Sequence, residues 1–101
     1  METAFEWDAV KAASNLRKHG VSFEVARLAF ADPRAVFEQD RIVEGEERWQ
    51  AIGMVRATTV LSVTHLWYET EEVSTIRIIS ARRANRRERR AYEEQDGKNY
   101  D

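Results

Sequence analysis

The chain has 101 residues, of which 43% are hydrophobic and 34% are charged, and its formal net charge is −2. This length predicts one small domain with a thin core, and the absence of cysteine excludes disulfides, thiolate metal sites and a cysteine nucleophile. Two histidines are too few for a usual structural zinc site, and no signal peptide or apolar run of membrane-spanning length is visible, so we expect a cytoplasmic protein without metal or other cofactor.

Helical patterns fill the first third of the chain. Asp8 and Ser22 are suitable N-caps, because their side-chain oxygens can accept from the free N–H groups of a first helical turn. Gly20 and Pro33 stand where helices usually end. The predicted elements of this part are an extended segment, Phe5–Trp7, and two helices, Ala9–Lys18 and Phe23–Ala31.

Strand patterns follow, rich in β-branched and aromatic residues. The predicted strands are Ala35–Gln39, Arg48–Val55, Thr58–Tyr68 and Val73–Ala81. An acidic connection, Asp40–Glu47, separates the first two, and Gly53 is expected to interrupt the second. Hairpins after two helices predict an α+β fold with two N-terminal helices, a small antiparallel β-sheet with helices on one face, and an arginine-rich C-terminal helix. We expect a single domain over residues 1–95 and a flexible tail over residues 96–101.

Positive charge is concentrated near the C-terminus. Residues 77–90 hold seven arginines and one acid, a local balance of +6, whereas the other 87 residues sum to −8. Asn85 and Glu88 have the spacing of a capping box, so a helix should begin there, and a helix N-terminus attracts anions. Four arginines are expected around it with no partner in the helix: Arg82, Arg83, Arg86 and Arg87. Such a patch on an acidic chain indicates a polyanion site, and a solvated charged face is the alternative.

The two histidines have different surroundings in the predicted elements. His19 ends a polar helix face with Lys11, Asn15 and Lys18. This face could hold phosphate and move a proton, although the spacing alone favours an ordinary solvated face. His65 shares a strand face with three apolar residues, which indicates a partly buried histidine rather than a catalytic one.

Strict alternation along the fourth predicted strand separates its polar residues. It places Ser80 with Ile76 and Ile78 on one face, and Arg77 with Ala81 on the other. Arg77 and Ser80 are therefore expected on opposite sides of the sheet.

Five spaced motifs extend over residues 7–92. They are Trp7-Asp8-xx-Lys11-xxx-Asn15-xx-Lys18-His19-Gly20-Val21-x-Phe23, Gly45-Glu46-x-Arg48, Ile52-Gly53, Ile78-Ile79-Ser80-Ala81-Arg82-x-Ala84 and Glu88-Arg89-xx-Tyr92. Together they resemble the BrnT family of toxins, and the first and last blocks in combination are specific. The resemblance implies a RelE-like fold and a small ribonuclease toxin of a type II toxin–antitoxin pair. It also implies that the toxin inhibits translation and that a BrnA-like antitoxin neutralises it.

Metal-free cleavage of RNA needs a base for the attacking 2′-OH, cations for the charge that grows on the phosphoryl oxygens, and an acid for the leaving 5′-oxygen. The predicted catalytic residues are His19, Arg48, Arg77, Ser80 and Arg82. In this interpretation His19 is the acid or base, the arginines hold the phosphate, and Ser80 either positions a phosphate oxygen or bonds backbone. The predicted RNA-binding residues are Lys11, Lys18, Arg83, Arg86 and Arg87, and no metal site is expected.

Two other function classes stay open. The arginine patch could serve a non-catalytic RNA-binding module, or a protein-interaction module that meets an acidic partner. The expected partners of a toxin are RNA and the antitoxin, with the assembly open between a homodimer and a toxin–antitoxin heterotetramer, and no membrane is expected. A small neighbouring reading frame that encodes an antitoxin would favour the toxin.

Overall fold

One sheet organises the part of the chain that the computed structural model describes, which is residues 2–98, with side chains to residue 95. The strand order is β1-β5-β4-β3-β2. The strands are β1 Glu2–Glu6, β2 Val36–Val43, β3 Glu46–Val55, β4 Thr59–Glu69 and β5 Val73–Arg83. The helices are α1 Ala9–His19, α2 Phe23–Ala26 with a 3₁₀ continuation Arg27–Ala31, a 3₁₀ turn Arg56–Thr58, and α3 Arg86–Lys98.

The sheet is mixed, so the prediction of a purely antiparallel sheet is wrong at one edge. β2 to β5 pair antiparallel as expected, but β1 pairs with β5 in parallel, with Phe5 opposite Ile76. Parallel neighbours require a long connection between them, and here residues 7–72 lie between the two strands. A segment's own side-chain pattern does not encode the direction of its neighbour, so the short N-terminal strand was open to either arrangement.

Helices cover both faces of the sheet, which corrects the prediction of helices on one face. Successive strand residues point to opposite faces, and on β3 they belong to different core clusters. Ala51 packs with Phe23 and Ala26 beneath α1 and α2, whereas Ile52 packs with Ala84 and Tyr92 at the other face. The reason is the short connection after β5, because two residues separate Arg83 from α3 and turn the chain onto the opposite face.

Gly53 does not interrupt β3, contrary to the prediction. A Cβ at this position would lie 2.5 Å from the carbonyl oxygen of Ala29, so glycine allows the 3₁₀ segment to approach the strand closely. The acidic connection is also largely strand. Glu44 and Gly45, with φ of 51° and 81°, make a two-residue hairpin between β2 and β3.

The predicted helix caps are confirmed. Asp8 Oδ2 accepts from Lys11 N at 3.0 Å, and Ser22 Oγ accepts from Val25 N at 3.1 Å. The backbone of α3 continues to Lys98, so residues 96–98 of the predicted tail are helical, while residues 99–101 lie outside the described residues. No helix within residues 2–98 has the length and apolar character needed to cross a membrane.

Candidate active site on one face of the sheet

A β-bulge in β5 decides which side chains share a face. Thr64 of β4 pairs with Ser80, but the next residue, His65, pairs with Ile78, so Ile79 is an extra residue on β5. A bulge of this kind shifts the alternation of side chains by one position. Arg77 and Ser80 therefore lie on the same face, and the prediction from strict alternation, which placed them on opposite faces, is wrong.

On this face, paired residues of neighbouring strands form rows across the sheet, and three of these rows lie side by side. Ser62 of β4 lies opposite Arg82, Thr64 lies opposite Ser80, and Leu66 lies opposite Arg77. On β3, Gln50 pairs with Thr64, so Arg48, two residues away, faces the same side. We call the face with Arg48, Arg77, Ser80 and Arg82 the arginine face, and the face beneath α1, α2 and the 3₁₀ segment the apolar face. Rows on one face are about 7 Å apart, so Arg82 and Arg77, two rows apart, lie on either side of the row of Ser80.

The last helix covers only part of the arginine face. Its Tyr92 packs with Ile52 beside the partly buried Met54 and Val60, and its hydroxyl donates to Asp32 Oδ2 at 2.6 Å. The first turn of the helix lies beside Ser62, and the side chains of Arg82 and Arg77 keep 40% and 37% of their surface exposed. The helix thus begins at the edge of an open cationic surface.

The buried carboxylate of Glu88 fixes the position of the Arg82 guanidinium. Glu88 is 3% exposed and accepts from both terminal nitrogens of Arg82, Nη1 at 2.7 Å and Nη2 at 3.1 Å. Ser62 Oγ and Asn85 N bond the same carboxylate at 3.0 and 2.9 Å. Glu88 N in turn donates to Asn85 Oδ1 at 2.8 Å, which confirms the predicted capping box. The prediction that Arg82 has no partner in the helix is wrong, because the capping glutamate is that partner.

These contacts keep Glu88 ionised despite its burial. Burial raises the pKa of this carboxyl, but the hydrogen bonds from Arg82, Asn85 N and Ser62 outweigh burial and leave the pKa below its usual value. The pKa of Arg82 is raised, because its hydrogen bonds to Glu88 favour the charged guanidinium more than burial opposes it. The pair is therefore charged on both sides at neutral pH.

Two further arginines of this face have different surroundings. Arg77 Nη1 donates to Glu6 Oε2 at 2.9 Å, beside Tyr68, whose hydroxyl donates to Glu46 at 3.0 Å. Burial and the Glu46 hydrogen bond raise the pKa of Tyr68. Arg48 has a buried Nε with no hydrogen-bond partner among the side chains described, residues 2–95, or the described backbone. A buried donor without a partner is uncommon and costs free energy, so this atom needs an acceptor.

The structure does not bring the other predicted site residues to this face. His19, Lys11 and Lys18 belong to α1, which lies against the apolar face through Asn15 and its bonds to Ala81. Arg83 pairs with Leu61 of the apolar face. Arg87 Nη2 pairs with Glu38 of β2 at 3.0 Å, and Arg86 lines a shallow cleft on α3 with Arg89 and Arg90.

The apolar face has an open groove of about 650 Å³ that contains the second histidine. Its aromatic and aliphatic lining is Phe5, Leu28, Phe30, Phe37, Trp67 and Ile76, and Arg27 is its one charged residue within the described chain. His65 is 2% exposed, with the Phe30 ring centroid 4.8 Å away and the Val63 carbonyl 3.2 Å from Nδ1. Burial lowers its pKa more than this carbonyl raises it, so His65 is a neutral core residue, as expected.

Two acids of structural importance were missed from the sequence, Glu88 as the partner of Arg82 and Asp32 as the anchor of α3. Asp32 Oδ2 accepts from Met54 N at 2.8 Å and from the Tyr92 hydroxyl. Burial raises the pKa of Asp32, but these two hydrogen bonds and a third from Arg34 N lower it by more. The pKa of Asp32 therefore lies below its usual value. The capping-box spacing marked Glu88 as a helix start, but no local signal indicated that its carboxylate is buried.

The fold and the arginine face define a small α+β protein whose exposed guanidinium groups suit a phosphate-bearing ligand. Among the side chains that the structure describes, residues 2–95, no three histidine, aspartate or glutamate groups converge as a metal-binding group. The family model described as "Ribonuclease toxin, BrnT, of type II toxin-antitoxin system" matches residues 7–88. The chain therefore belongs to the BrnT family of ribonuclease toxins, and the resemblance noted in its motifs is confirmed.

A solved structure agrees with this assignment. The crystal structure of the Brucella abortus ribonuclease toxin BrnT matches with a TM-score of 0.60 and 25% sequence identity, over 85% of this chain and 100% of that chain. No curated protein sequence matches the chain. Membership in a type II toxin–antitoxin family implies an antitoxin partner and an RNA substrate. The RelE-like character of the fold stays a prediction.

Proposed function

We propose that the chain is a metal-independent endoribonuclease toxin that inhibits translation by cleaving RNA and that a BrnA-like antitoxin neutralises. The family description supports a ribonuclease toxin. The observation that carries the proposal is the bulge at Ile79, which gathers Arg77, Ser80 and Arg82 on the face of Arg48. An enzyme that acts on translated RNA works in the cytoplasm, where we place this chain.

The proposed chemistry uses the substrate's own 2′-OH as nucleophile. The 2′-oxygen loses its proton and bonds to the neighbouring phosphorus, and negative charge grows on the phosphoryl oxygens. The bond from phosphorus to the 5′-oxygen then breaks as that oxygen gains a proton, which leaves a 2′,3′-cyclic phosphate and a 5′-hydroxyl. Guanidinium groups match two phosphoryl oxygens at once, and such fixed donors are often the largest contribution to catalysis. Arg82 and Arg77 hold the phosphate in this scheme, and the hydroxyl of Ser80, between their rows, donates to a phosphoryl oxygen.

Arg48 supports an anion on this face. Its Nε is buried and has no acceptor among the described residues, and a phosphate oxygen could supply one if the Arg48 side chain turns toward the surface on binding. His19 keeps no role in this proposal, because it ends a helix on the opposite face. Proton transfer therefore belongs to groups of the arginine face and the substrate.

Expression with and without the antitoxin tests the proposal. Induced alone, the chain should arrest growth and shorten cellular RNA, and co-expression with the antitoxin encoded beside it should restore both. The purified chain should cleave single-stranded RNA with equal rates in EDTA and in Mg²⁺. Normal growth at high soluble expression with intact RNA would contradict the toxin, and loss of cleavage in EDTA would contradict metal independence.

One observation favours a second candidate, a protein-interaction module without catalysis. Three arginines of the C-terminal segment already pair with acids of the chain, namely Arg77 with Glu6, Arg82 with Glu88 and Arg87 with Glu38. If these pairs only stabilise the fold, the purified chain will bind its antitoxin but will neither bind nor cleave RNA.

A further inference from the structure

We propose that Glu88 is a positioning residue for RNA cleavage, which orients Arg82 so that one edge of its guanidinium faces the phosphate. The inference rests on the proposed function, because it assigns Arg82 a phosphate to hold. Glu88 itself is buried and would not touch the substrate.

The hydrogen bonds of Arg82 show which donors are already used. A guanidinium has five N–H groups in a plane. Nη1 donates to Glu88 Oε1 and to the Arg83 carbonyl at 3.3 Å, and Nη2 donates once, to Glu88 Oε2. The Nε–H and the second Nη2–H remain without an acceptor in the described chain. These two N–H groups lie parallel on one edge of the guanidinium, which is the geometry that matches two oxygens of a phosphate.

The carboxylate is itself fixed, so it can fix the arginine. Ser62 on β4 and the Asn85 backbone N–H at the start of α3 hold Glu88 from two elements. An exposed arginine otherwise loses considerable side-chain entropy when it adopts one geometry. A guanidinium that is already oriented reaches the transition state at a lower entropic cost, and small errors of position reduce rates strongly.

Because Glu88 is negatively charged, its removal distinguishes positioning of Arg82 from electrostatic attraction of RNA. A carboxylate next to Arg82 reduces the positive potential that attracts the substrate. Removal of the negative charge should therefore leave RNA binding equal or tighter, while loss of orientation slows the chemical step. A residue with only a structural role would not move KM and kcat in this way.

Glu88→Gln tests the inference with little change of shape. Glutamine also serves at this position of a capping box, so the helix start should persist. Glutamine has an NH2 donor in place of the second oxygen, so the two parallel hydrogen bonds from the terminal nitrogens of Arg82 cannot both be kept. We expect kcat to fall about tenfold or more, with KM unchanged or lower.

Asn85→Ala is the matched control, because it removes the other half of the capping box and leaves the Glu88–Arg82 pair. We expect it to lower the melting temperature and leave kcat unchanged. If Glu88→Gln fails to fold, Ser62→Ala decides instead, since it frees the carboxylate on one side, and its kcat should fall about threefold or more at unchanged KM.

Wild type and Arg82→Ala in the same assay distinguish the two proposals. If the wild type does not cleave RNA, the proposed function fails. If Arg82→Ala cleaves normally, the ribonuclease stands but the roles of both Arg82 and Glu88 are overturned. If Arg82→Ala is inactive while folded Glu88→Gln retains wild-type kcat, only the role of Glu88 is overturned. The same conclusion follows if kcat in Glu88→Gln recovers fully at a temperature where its folding is complete.

Discussion

Among the residues with described side chains, each face of the sheet buries one histidine or carboxylate, and the two groups differ in charge. His65 on the apolar face and Glu88 on the arginine face are 2% and 3% exposed. Aromatic rings surround His65 and burial lowers its pKa, so it is neutral at pH 7. Glu88 has Arg82, Ser62 and a backbone N–H around it, and these keep it charged. Burial alone does not mark a functional residue, because the partners decide whether a buried group keeps a charge that can organise its neighbours.

The exposed parts of the two faces also differ in charge, because one is apolar and the other is cationic. The groove of the apolar face contains several aromatic rings, with Trp67 59% exposed, and one cation among the described residues, Arg27. The arginine face has three arginines, with Arg82 and Arg77 in the two outer rows and Arg48 two residues from Gln50 of the middle row. Phosphate is strongly hydrated and gains little from an apolar groove, so the chemistry of RNA cleavage belongs to the arginine face.

Adjacent arginines on opposite faces give the strongest test of this comparison. Arg82→Ala should reduce RNA cleavage by about a hundredfold or more, because it removes a donor to the charge that develops on the phosphate. Arg83→Ala removes the same charge one residue along the chain, but on the other face, and should keep most of the activity. Rates at saturating RNA measure the difference.

Stability must be measured alongside, because Arg82 is also the charged partner of a buried carboxylate. Its removal should lower the free energy of unfolding by about 2 kcal/mol, since Ser62 and Asn85 N still bond Glu88. Arg82→Lys should keep part of this stability yet recover little cleavage, because an ammonium cannot make the paired bonds of a guanidinium. Equal activity of Arg82→Ala and Arg83→Ala would remove the distinction between the faces.

The salt dependence of RNA binding reports how many cations of this surface meet phosphates. With about four phosphates engaged on single-stranded RNA, the logarithm of affinity should fall against the logarithm of salt with a slope of about −3. Between 50 and 200 mM salt this is about a sixtyfold loss of affinity. Titrations with a non-cleavable single-stranded oligonucleotide measure the slope. A flat response would mean that the arginines serve only the internal ion pairs.

Signals within a few residues were sufficient to predict where the helices begin, but not that the α-helix from Phe23 ends at Ala26 and continues as a 3₁₀ segment. The N-caps Asp8 and Ser22 and the box of Asn85 and Glu88 each depend on residues three positions apart, and all are present. The parallel pairing of β1 and the extra residue Ile79 depend instead on the register between distant strands. No local pattern carries that information, so strict alternation placed Ser80 with Ile76 and Ile78 instead of with Arg77.

The candidate site shows the same division between local and distant information. The residue types were predictable, because an excess of arginine over acid in residues 77–90 is visible in the sequence. Their partners were not, since Arg77 meets Glu6 from 71 positions away and Arg87 meets Glu38 from 49. Glu88 was assigned a capping role correctly, but its burial follows from the way α3 packs on β3 and β4, which the helix pattern alone does not contain.

The neutral state of His65 predicts how stability depends on pH. Because its pKa in the folded chain lies below the ordinary value of 6.5, the unfolded chain binds more protons as pH falls below 6.5. The free energy of unfolding should therefore be constant above about pH 7 and decrease by up to about 1.4 kcal/mol per pH unit below 6.5. Asp32 and Glu88, with ordinary values of 3.8 and 4.5, lose their contribution only at lower pH.

Urea unfolding between pH 5 and 8 measures this dependence, and His65→Gln should flatten it. His19→Gln is the matched control, because it removes an exposed imidazole and should leave the slope in place. If the slope persists in His65→Gln, another group causes the pH dependence. The conclusion that His65 is neutral in the folded chain would then be wrong.

The smallest expected effect concerns His19 and cleavage. A general acid or base contributes about a hundredfold or more to a rate, so its loss is easily seen. His19 is exposed at the end of α1, and α1 lies against the apolar face through Asn15 and Ala81. We therefore expect His19→Gln to cleave RNA within about threefold of wild type and to keep the same pH–rate profile. A loss of one limb of that profile, with folding intact, would restore His19 as the proton carrier. It would also require RNA to pass around the edge of the sheet to reach both faces.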